Sequence, residues 1–155
     1  MGRLYINRKA EDNRYLHRDF HLLADRGLIY VGEQYGDKAV IEFLTEYTLS
    51  YYKNLIIDVK KNGVEELKKH LEKIYRAEEC GDALETYGDN RLMNFKIKYC
   101  PAVRYMLSVG HVPSKWYIET VNTVYGVIAK ESGYAFKLNS YDKDSGSAEF
   151  DFRKV

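Results

Sequence analysis

The sequence is poor in cysteine and proline and contains no long apolar run. Its 155 residues include two cysteines and two prolines. Two cysteines are too few for a disulfide framework, so we expect a reduced, cytoplasmic setting. No stretch approaches the roughly 18 consecutive apolar residues of a membrane-spanning helix. The first five residues also lack the apolar run of a signal peptide, so we expect no membrane partner.

An excess of charge of either sign is also absent. Lysine and arginine total 24, aspartate and glutamate total 23, and the net charge is +1. This balance implies no basic surface and argues against nucleic acid as a partner. The sequence contains no glycine-rich phosphate loop, which argues against nucleotide-dependent chemistry. It also contains no CxxC, GxSxG or HExxH motif.

Tyrosine, by contrast, is abundant, with 15 of the 155 residues. A tyrosine suits the edge of a core, the wall of a pocket or an interface, because its ring is apolar and its hydroxyl is polar. The length suits one domain with its own core. We therefore expect residues 1–155 to form a single domain, with residues 1–11 as a loosely ordered N-terminal arm.

The hydrophobic pattern predicts the element order ααα-ββ-αα-ββ. Period-two alternation flanks two turn signals, at residues 88–90 and 142–146, and predicts two hairpins. Because isolated hairpins cannot bury their apolar faces, we expect one four-stranded antiparallel sheet with helices packed on one face, an α+β fold. The predicted helices span residues 12–34, 37–61, 64–79, 102–109 and 115–132.

Two histidines in the first predicted helix are candidate metal ligands. His17 and His21 are four residues apart, so they share a helix face and can hold one divalent metal ion. The alternative is that they are solvated beside the apolar stripe of this helix. That stripe is formed by Leu16, Phe20, Leu23 and Tyr30.

Cys100 and His111 are the candidate catalytic residues of the last third. Pro101 disfavours helical geometry at Cys100, which should end a strand just before a helix. A helix N-terminus lowers the pKa of a thiol, so Cys100 is a candidate nucleophile or ligand, although a free cysteine is commonly a small buried apolar residue. His111 follows Gly110 at the end of a short helix and suits either a general base or a helix cap.

The start of the last predicted helix carries candidate substrate-binding groups. Tyr117 and Glu119 make this end more polar than a core helix requires, and Glu119 is a candidate acid, base or ligand. The alternative for Glu119 is an exposed glutamate favoured by the helix dipole. Arg104 and Arg18 are cations available to a substrate carboxylate.

Five short segments carry a family resemblance through their order and spacing. They are His17-Arg18-Asp19-Phe20-His21, Tyr35-Gly36-Asp37-Lys38-Ala39-Val40, Tyr99-Cys100-Pro101-Ala102-Val103, Gly110-His111 and Gly133-Tyr134. Together they resemble the L-2-amino-thiazoline-4-carboxylic acid hydrolase-like family over residues 15–153. The resemblance implies hydrolytic opening of an aminothiazoline ring to N-carbamoyl-cysteine.

The element layout is also similar to vinyl-reductase-type ligand-binding domains. Members of that group bind small molecules or partner chains and often pair through helices, which implies a small-molecule ligand and a homodimer. Some members use cysteine clusters in the last third. This chain has only Cys100 there, so it departs from them.

Two functional hypotheses follow. In a hydrolase of a cyclic C–N bond, Cys100 attacks the electrophilic carbon while His111 or His21 moves the proton. Alternatively, His17, His21 and a carboxylate such as Glu119 hold a metal ion that activates water. The rival is a non-catalytic small-molecule-binding or sensor module with a tyrosine-rich pocket. An enzyme should bring Cys100 within hydrogen-bond reach of a histidine, whereas a binding module should bury Cys100 and leave the histidines apart.

Overall fold

A computed structural model of the chain describes the backbone of residues 13–155 and the side chains of residues 20–155. The predicted N-terminal arm, residues 1–11, lies outside these described residues. Over the described range the chain forms six α-helices and four strands. The helices are α1 (Asn13–Tyr35), α2 (Asp37–Tyr51), α3 (Lys53–Asn62), α4 (Glu65–Ala77), α5 (Pro101–Ser108) and α6 (Glu119–Ser132). The strands are β1 (Leu84–Gly88), β2 (Leu92–Ile97), β3 (Tyr134–Tyr141) and β4 (Ala148–Lys154).

The four strands form one antiparallel sheet with the order β1-β2-β4-β3. Each hairpin pairs within itself, and β2 and β4 join the two hairpins through the centre of the sheet. The helices pack on one face. The predicted α+β fold with a four-stranded antiparallel sheet is therefore confirmed. Among the described helices, none is both long and apolar enough to cross a lipid bilayer.

Aromatic side chains hold the helices on the sheet. Phe95 of β2 and Phe150 of β4 are fully buried on the helix-covered face, with ring centroids 5.1 Å apart. Tyr125 of α6 stacks on Phe150 with centroids 4.7 Å apart. Burying a large side chain of this kind contributes roughly 1.5–3 kcal/mol. This stack fixes the position of α6 over the centre of the sheet.

Two helix boundaries differ from the predicted ones. The helix predicted at residues 37–61 divides at Tyr52, whose φ of −94° and ψ of 13° end α2 and begin α3, so four helices precede the first hairpin. Tyr52 is half-buried, with its ring edge on to those of Tyr47 and Tyr51, and the break lets α3 pack on α4. The helix predicted from residue 115 begins at Glu119, because residues 115–118 form a turn.

Helix α1 buries a different side from the one its apolar stripe indicates. Its inner side carries Asp25, Leu28 and Gly32, all buried. A Cβ atom at Gly32 would lie 2.3 Å from the ring of Trp116, so the close approach of these elements requires glycine. The side chains of the predicted stripe that the structure describes are exposed: Phe20, Leu23 and Tyr30.

Candidate functional site

Cys100 lies where three elements meet. It adopts extended geometry (φ −91°, ψ 123°) directly before α5, as its position before Pro101 predicts. Its backbone N–H donates a 2.9 Å hydrogen bond to the carbonyl oxygen of Ser145 in the β3–β4 turn. Gly146 has a φ of 66°, and a Cβ atom there would lie 2.5 Å from the Cβ atom of Cys100. The second hairpin turn therefore closes tightly against Cys100, a contact that the sequence does not predict.

Four tyrosines from four parts of the fold lie close enough to Cys100 for its ionised thiol to raise the pKa of their hydroxyls. They are Tyr75 of α4, Tyr117 in the turn before α6, Tyr125 of α6 and Tyr141 at the end of β3. Burial is the main cause that raises the pKa of each hydroxyl, to about 12 at Tyr141, and Cys100 acts in the same direction on all four. We call Cys100 and these four residues the thiol–tyrosine cluster.

Three of the cluster hydroxyls lack a hydrogen-bond partner in the described part of the chain. The hydroxyl of Tyr117 interacts with the Cys100 sulfur, whereas those of Tyr75, Tyr125 and Tyr141 make no hydrogen bond within the described part of the chain. Among the described side chains that are not exposed, the one enclosed nitrogen or oxygen atom without a partner is Nε2 of His70. The three hydroxyls therefore each border space that a water molecule can enter. Polar groups in such space are the kind that orient a bound ligand.

The environment of Cys100 favours the protonated thiol. Burial raises the pKa of the Cys100 thiol above its usual value, and Glu78 adds to the rise. The N–H groups of Val103 and Ala102 and the hydroxyl of Tyr117 oppose this rise without overcoming it. Because the thiolate is the nucleophilic form, these surroundings do not activate Cys100.

His111 pairs with a buried carboxylate rather than with Cys100. Asp25 of α1 has no exposed surface, and its Oδ2 atom lies 2.7 Å from Nε2 of His111. Asp25 also accepts hydrogen bonds of 3.0 Å from the backbone N–H of Ser114 and of 2.7 Å from its hydroxyl. Three hydrogen bonds therefore tie α1 to the linker between α5 and α6. Asp25 is also close enough to the cluster to raise the pKa of Tyr117 and Tyr141.

His21 pairs with another carboxylate beside the cluster. Its Nε2 atom lies 3.1 Å from Oε1 of Glu78, which follows the end of α4. The charge of Glu78 raises the pKa of both Cys100 and Cys80. Each described candidate histidine thus has an acidic partner, and neither forms a hydrogen bond with Cys100.

The side chains of Glu119 and Arg104 make contacts away from the Cys100 thiol. Glu119 accepts hydrogen bonds from the side chains of Thr123 and Asn122, within its own helix. The guanidinium of Arg104 is exposed and lies 3.6 Å from the ring centroid of Tyr99. The structure therefore brings Tyr117, but not these two predicted substrate-binding residues, into the thiol–tyrosine cluster.

The predicted metal site rests partly on a residue that the structure does not describe. The side chain of His17 lies outside the described residues. Among those that are described, no group of three or more His, Cys, Asp and Glu side chains is arranged to hold a metal ion. The divalent metal stays a prediction.

Asp25 and three of the cluster tyrosines are site residues that the sequence reasoning missed. Asp25 lies three residues from Leu22 and Leu28 on the inner side of α1, and a carboxylate on an apolar helix side is the signal that could have identified it. The three tyrosines had no local signal beyond the high tyrosine content of the chain.

These elements define an α+β domain with a thiol, tyrosines and two carboxylate–histidine pairs between its helices and one end of its sheet. No family model matches the chain, and neither a curated protein nor a solved structure matches it. The resemblance to the hydrolase-like family stays a prediction.

Proposed function

We propose that the protein binds a small organic molecule at the thiol–tyrosine cluster. The observation that carries this proposal is the set of three tyrosine hydroxyls, on the buried Tyr75 and the partly buried Tyr125 and Tyr141, that lack partners among the described residues and border accessible space. Small-molecule sites are mostly apolar and aromatic, with a few polar groups that fix the orientation of the ligand. The cluster has this composition.

The charges around the cluster indicate which ligands it suits. Asp25 and Glu78 both stand close enough to raise the pKa of cluster groups, so the surroundings disfavour an anion. The guanidinium of the exposed Arg104 lies over the ring of Tyr99, which is not a member of the cluster. A flat, neutral or cationic heterocycle therefore fits better than a free carboxylate: its faces would pack on the rings and its heteroatoms would meet the hydroxyls.

Hydrolysis at the C=N bond of a cyclic amidine, in which water adds to the ring carbon and the ring C–S bond breaks to release a thiol, is the second candidate, and the Asp25–His111 pair favours it. Nε2 of His111 lies 2.7 Å from the Asp25 carboxylate, and in the tautomer that donates to this carboxylate Nδ1 is the acceptor nitrogen. A carboxylate that orients an imidazole in this way is a common arrangement for a general base. In this candidate His111 would activate water, because the surroundings of Cys100 disfavour its thiolate.

One pair of probes separates the two candidates. We expect 2-aminothiazole, a flat neutral heterocycle, to raise the midpoint of thermal unfolding of the wild-type protein. In Cys100→Leu the larger side chain should fill the space and abolish the rise. Ser108→Leu introduces the same side chain at an exposed position of α5 and serves as the matched control.

Two outcomes would contradict ligand binding at the cluster. One is that 2-aminothiazole raises the midpoint equally in both variants, and the other is that it raises the midpoint in neither variant nor the wild type. L-2-Amino-thiazoline-4-carboxylate, incubated with the same proteins, tests the second candidate. The appearance of N-carbamoyl-cysteine with wild type and its loss in His111→Phe would support hydrolysis.

A further inference from the structure

The outer side of α1 is an unpartnered apolar face with the spacing of a helix-pairing seam. Phe20 is 53% exposed, Leu23 65% and Tyr30 61%, and nothing lies within 4 Å of where a Cβ atom of Gly27 would be. Positions 20, 23, 27 and 30 alternate steps of three and four, the seven-residue repeat by which helices pair with each other. Helix α1 meets α2 and α5 within its own chain, and this face remains exposed to solvent.

Two charged side chains border this face and have no ion-pair partner among the described residues. Arg26 and Glu33 are both exposed, and neither forms an ion pair with any described residue. They are seven residues apart, so they occupy equivalent flanking positions of successive repeats. Flanking charges of this kind set the partner and the orientation of paired helices.

We infer that two copies of this chain pair through α1 in an antiparallel, two-fold arrangement. With Gly27 of one copy opposite Tyr30 of the other, each tyrosine ring fills the space left by a glycine. The same alignment places Arg26 of each copy beside Glu33 of its partner, so the symmetry produces two ion pairs. A parallel arrangement would put Arg26 beside Val31 and leave the charges unmatched.

The exposed surface is large enough for a modest, reversible dimer. Fully buried aromatic side chains cover roughly 150–250 Å² each, so the exposed parts of Phe20, Leu23 and Tyr30 supply roughly 300–400 Å² per copy. Arg26, Glu33 and Gln34 flank them and extend the contact. The total approaches about 600 Å² per partner, the low end for specific interfaces.

A charge-exchange experiment on the full-length chain tests the pairing and its orientation together. We expect sedimentation velocity to show a concentration-dependent dimer for the wild type. In the antiparallel dimer, Arg26→Glu turns both ion pairs into pairs of like charges, and Glu33→Arg does the same. Each substitution should therefore weaken association at least about tenfold. The double variant should restore association to within about threefold of wild type. An equimolar mixture of the two single variants should also associate, because each then meets its complement.

Lys60→Glu is the matched control, since it makes the same charge change at an exposed position of α3. It should leave association unchanged within about twofold, as expected for an exposed charge away from the interface. A wild type that stays monomeric at every concentration would overturn the inference and would indicate that another segment or partner covers the face. A dimer whose association is unchanged by Arg26→Glu and by Glu33→Arg would overturn it as well, because pairing would then use a different surface.

Discussion

Removing the Asp25 carboxylate should destabilise the fold more than almost any other polar substitution. Asp25 is completely buried and accepts from His111 Nε2, from the Ser114 hydroxyl and from the Ser114 backbone N–H. Asp25→Ala leaves these donors facing a small cavity, and breaking a buried charged network of this kind costs about 3–5 kcal/mol. A domain of this size has a free energy of unfolding of about 5–15 kcal/mol, so the cost of Asp25→Ala would be a large part of the total.

Asp25→Asn should be much milder, and the comparison tests the reasoning. The amide oxygen can accept from His111 and from the Ser114 backbone, while the amide nitrogen donates to the Ser114 hydroxyl, which can reverse its role. The remaining loss is the negative charge, so we expect a cost of about 1–2 kcal/mol.

Urea denaturation at constant pH measures both costs, and unchanged slopes would show that stability alone has altered. Asp37→Ala is the control: it removes an exposed carboxylate that accepts from Trp116 and pairs with Lys115, and should lower the free energy of unfolding far less than Asp25→Ala. The reasoning is refuted if Asp25→Ala costs no more than this control, or if the Asn and Ala variants at position 25 are equally unstable.

Further predictions concern the two glycines of α1 and the two cysteines. Gly32→Ala should cost about 1–3 kcal/mol in urea denaturation because its Cβ atom would meet the Trp116 ring at 2.3 Å. Gly27→Ala has nothing within 4 Å in the single chain, so at protein concentrations too low for pairing through α1 it should gain up to about 1 kcal/mol from helix propensity. Equal effects of the two substitutions would contradict the packing described. Because burial raises the pKa of Cys100, iodoacetamide should modify it more slowly in the native protein at pH 7 than in the unfolded chain, and mass spectrometry showing equal rates would contradict this. Burial raises the pKa of the Cys80 thiol from 9.0 to about 11, so the unfolded chain loses this proton at a lower pH than the folded chain. The contribution of the protonated thiol to the free energy of unfolding is therefore fully present below pH 9 and is lost as the pH rises to about 11. Cys80→Ala should make that decline between pH 9 and 11 less steep, and an unchanged decline in denaturation experiments would count against the shift.

The strands and their partners were predictable because the signals are local. Phe95 and Ile97 alternate with Asn94 and Lys96, and the structure buries the first pair under the helices. Turn residues fixed the ends of both hairpins, so antiparallel pairing within each hairpin followed. The break at Tyr52 was not predictable in this way, because the apolar spacing continues through it and the cause is packing between helices.

The candidate site was predictable only where a neighbour in sequence determines the geometry. Pro101 places Cys100 in extended geometry before α5, and the structure agrees. Asp25 was missed because its partners, His111 and Ser114, are 86 and 89 residues away in the chain. Burial of that carboxylate makes sense only once those donors are known, and spacing within α1 cannot supply them.

Helix α1 shows why periodicity identifies a stripe but not what covers it. One stripe carries Phe20, Leu23 and Tyr30 and is the more apolar, whereas the other interrupts its apolar residues with Asp25 and Gly32. By hydrophobicity alone the first stripe should face the core. The fold buries the second, because Gly32 admits the Trp116 ring and Asp25 satisfies the donors of the α5–α6 linker. Close approach and hydrogen-bond satisfaction therefore decided the orientation, and the exposed apolar stripe left over is the feature that the inferred pairing of two copies would explain.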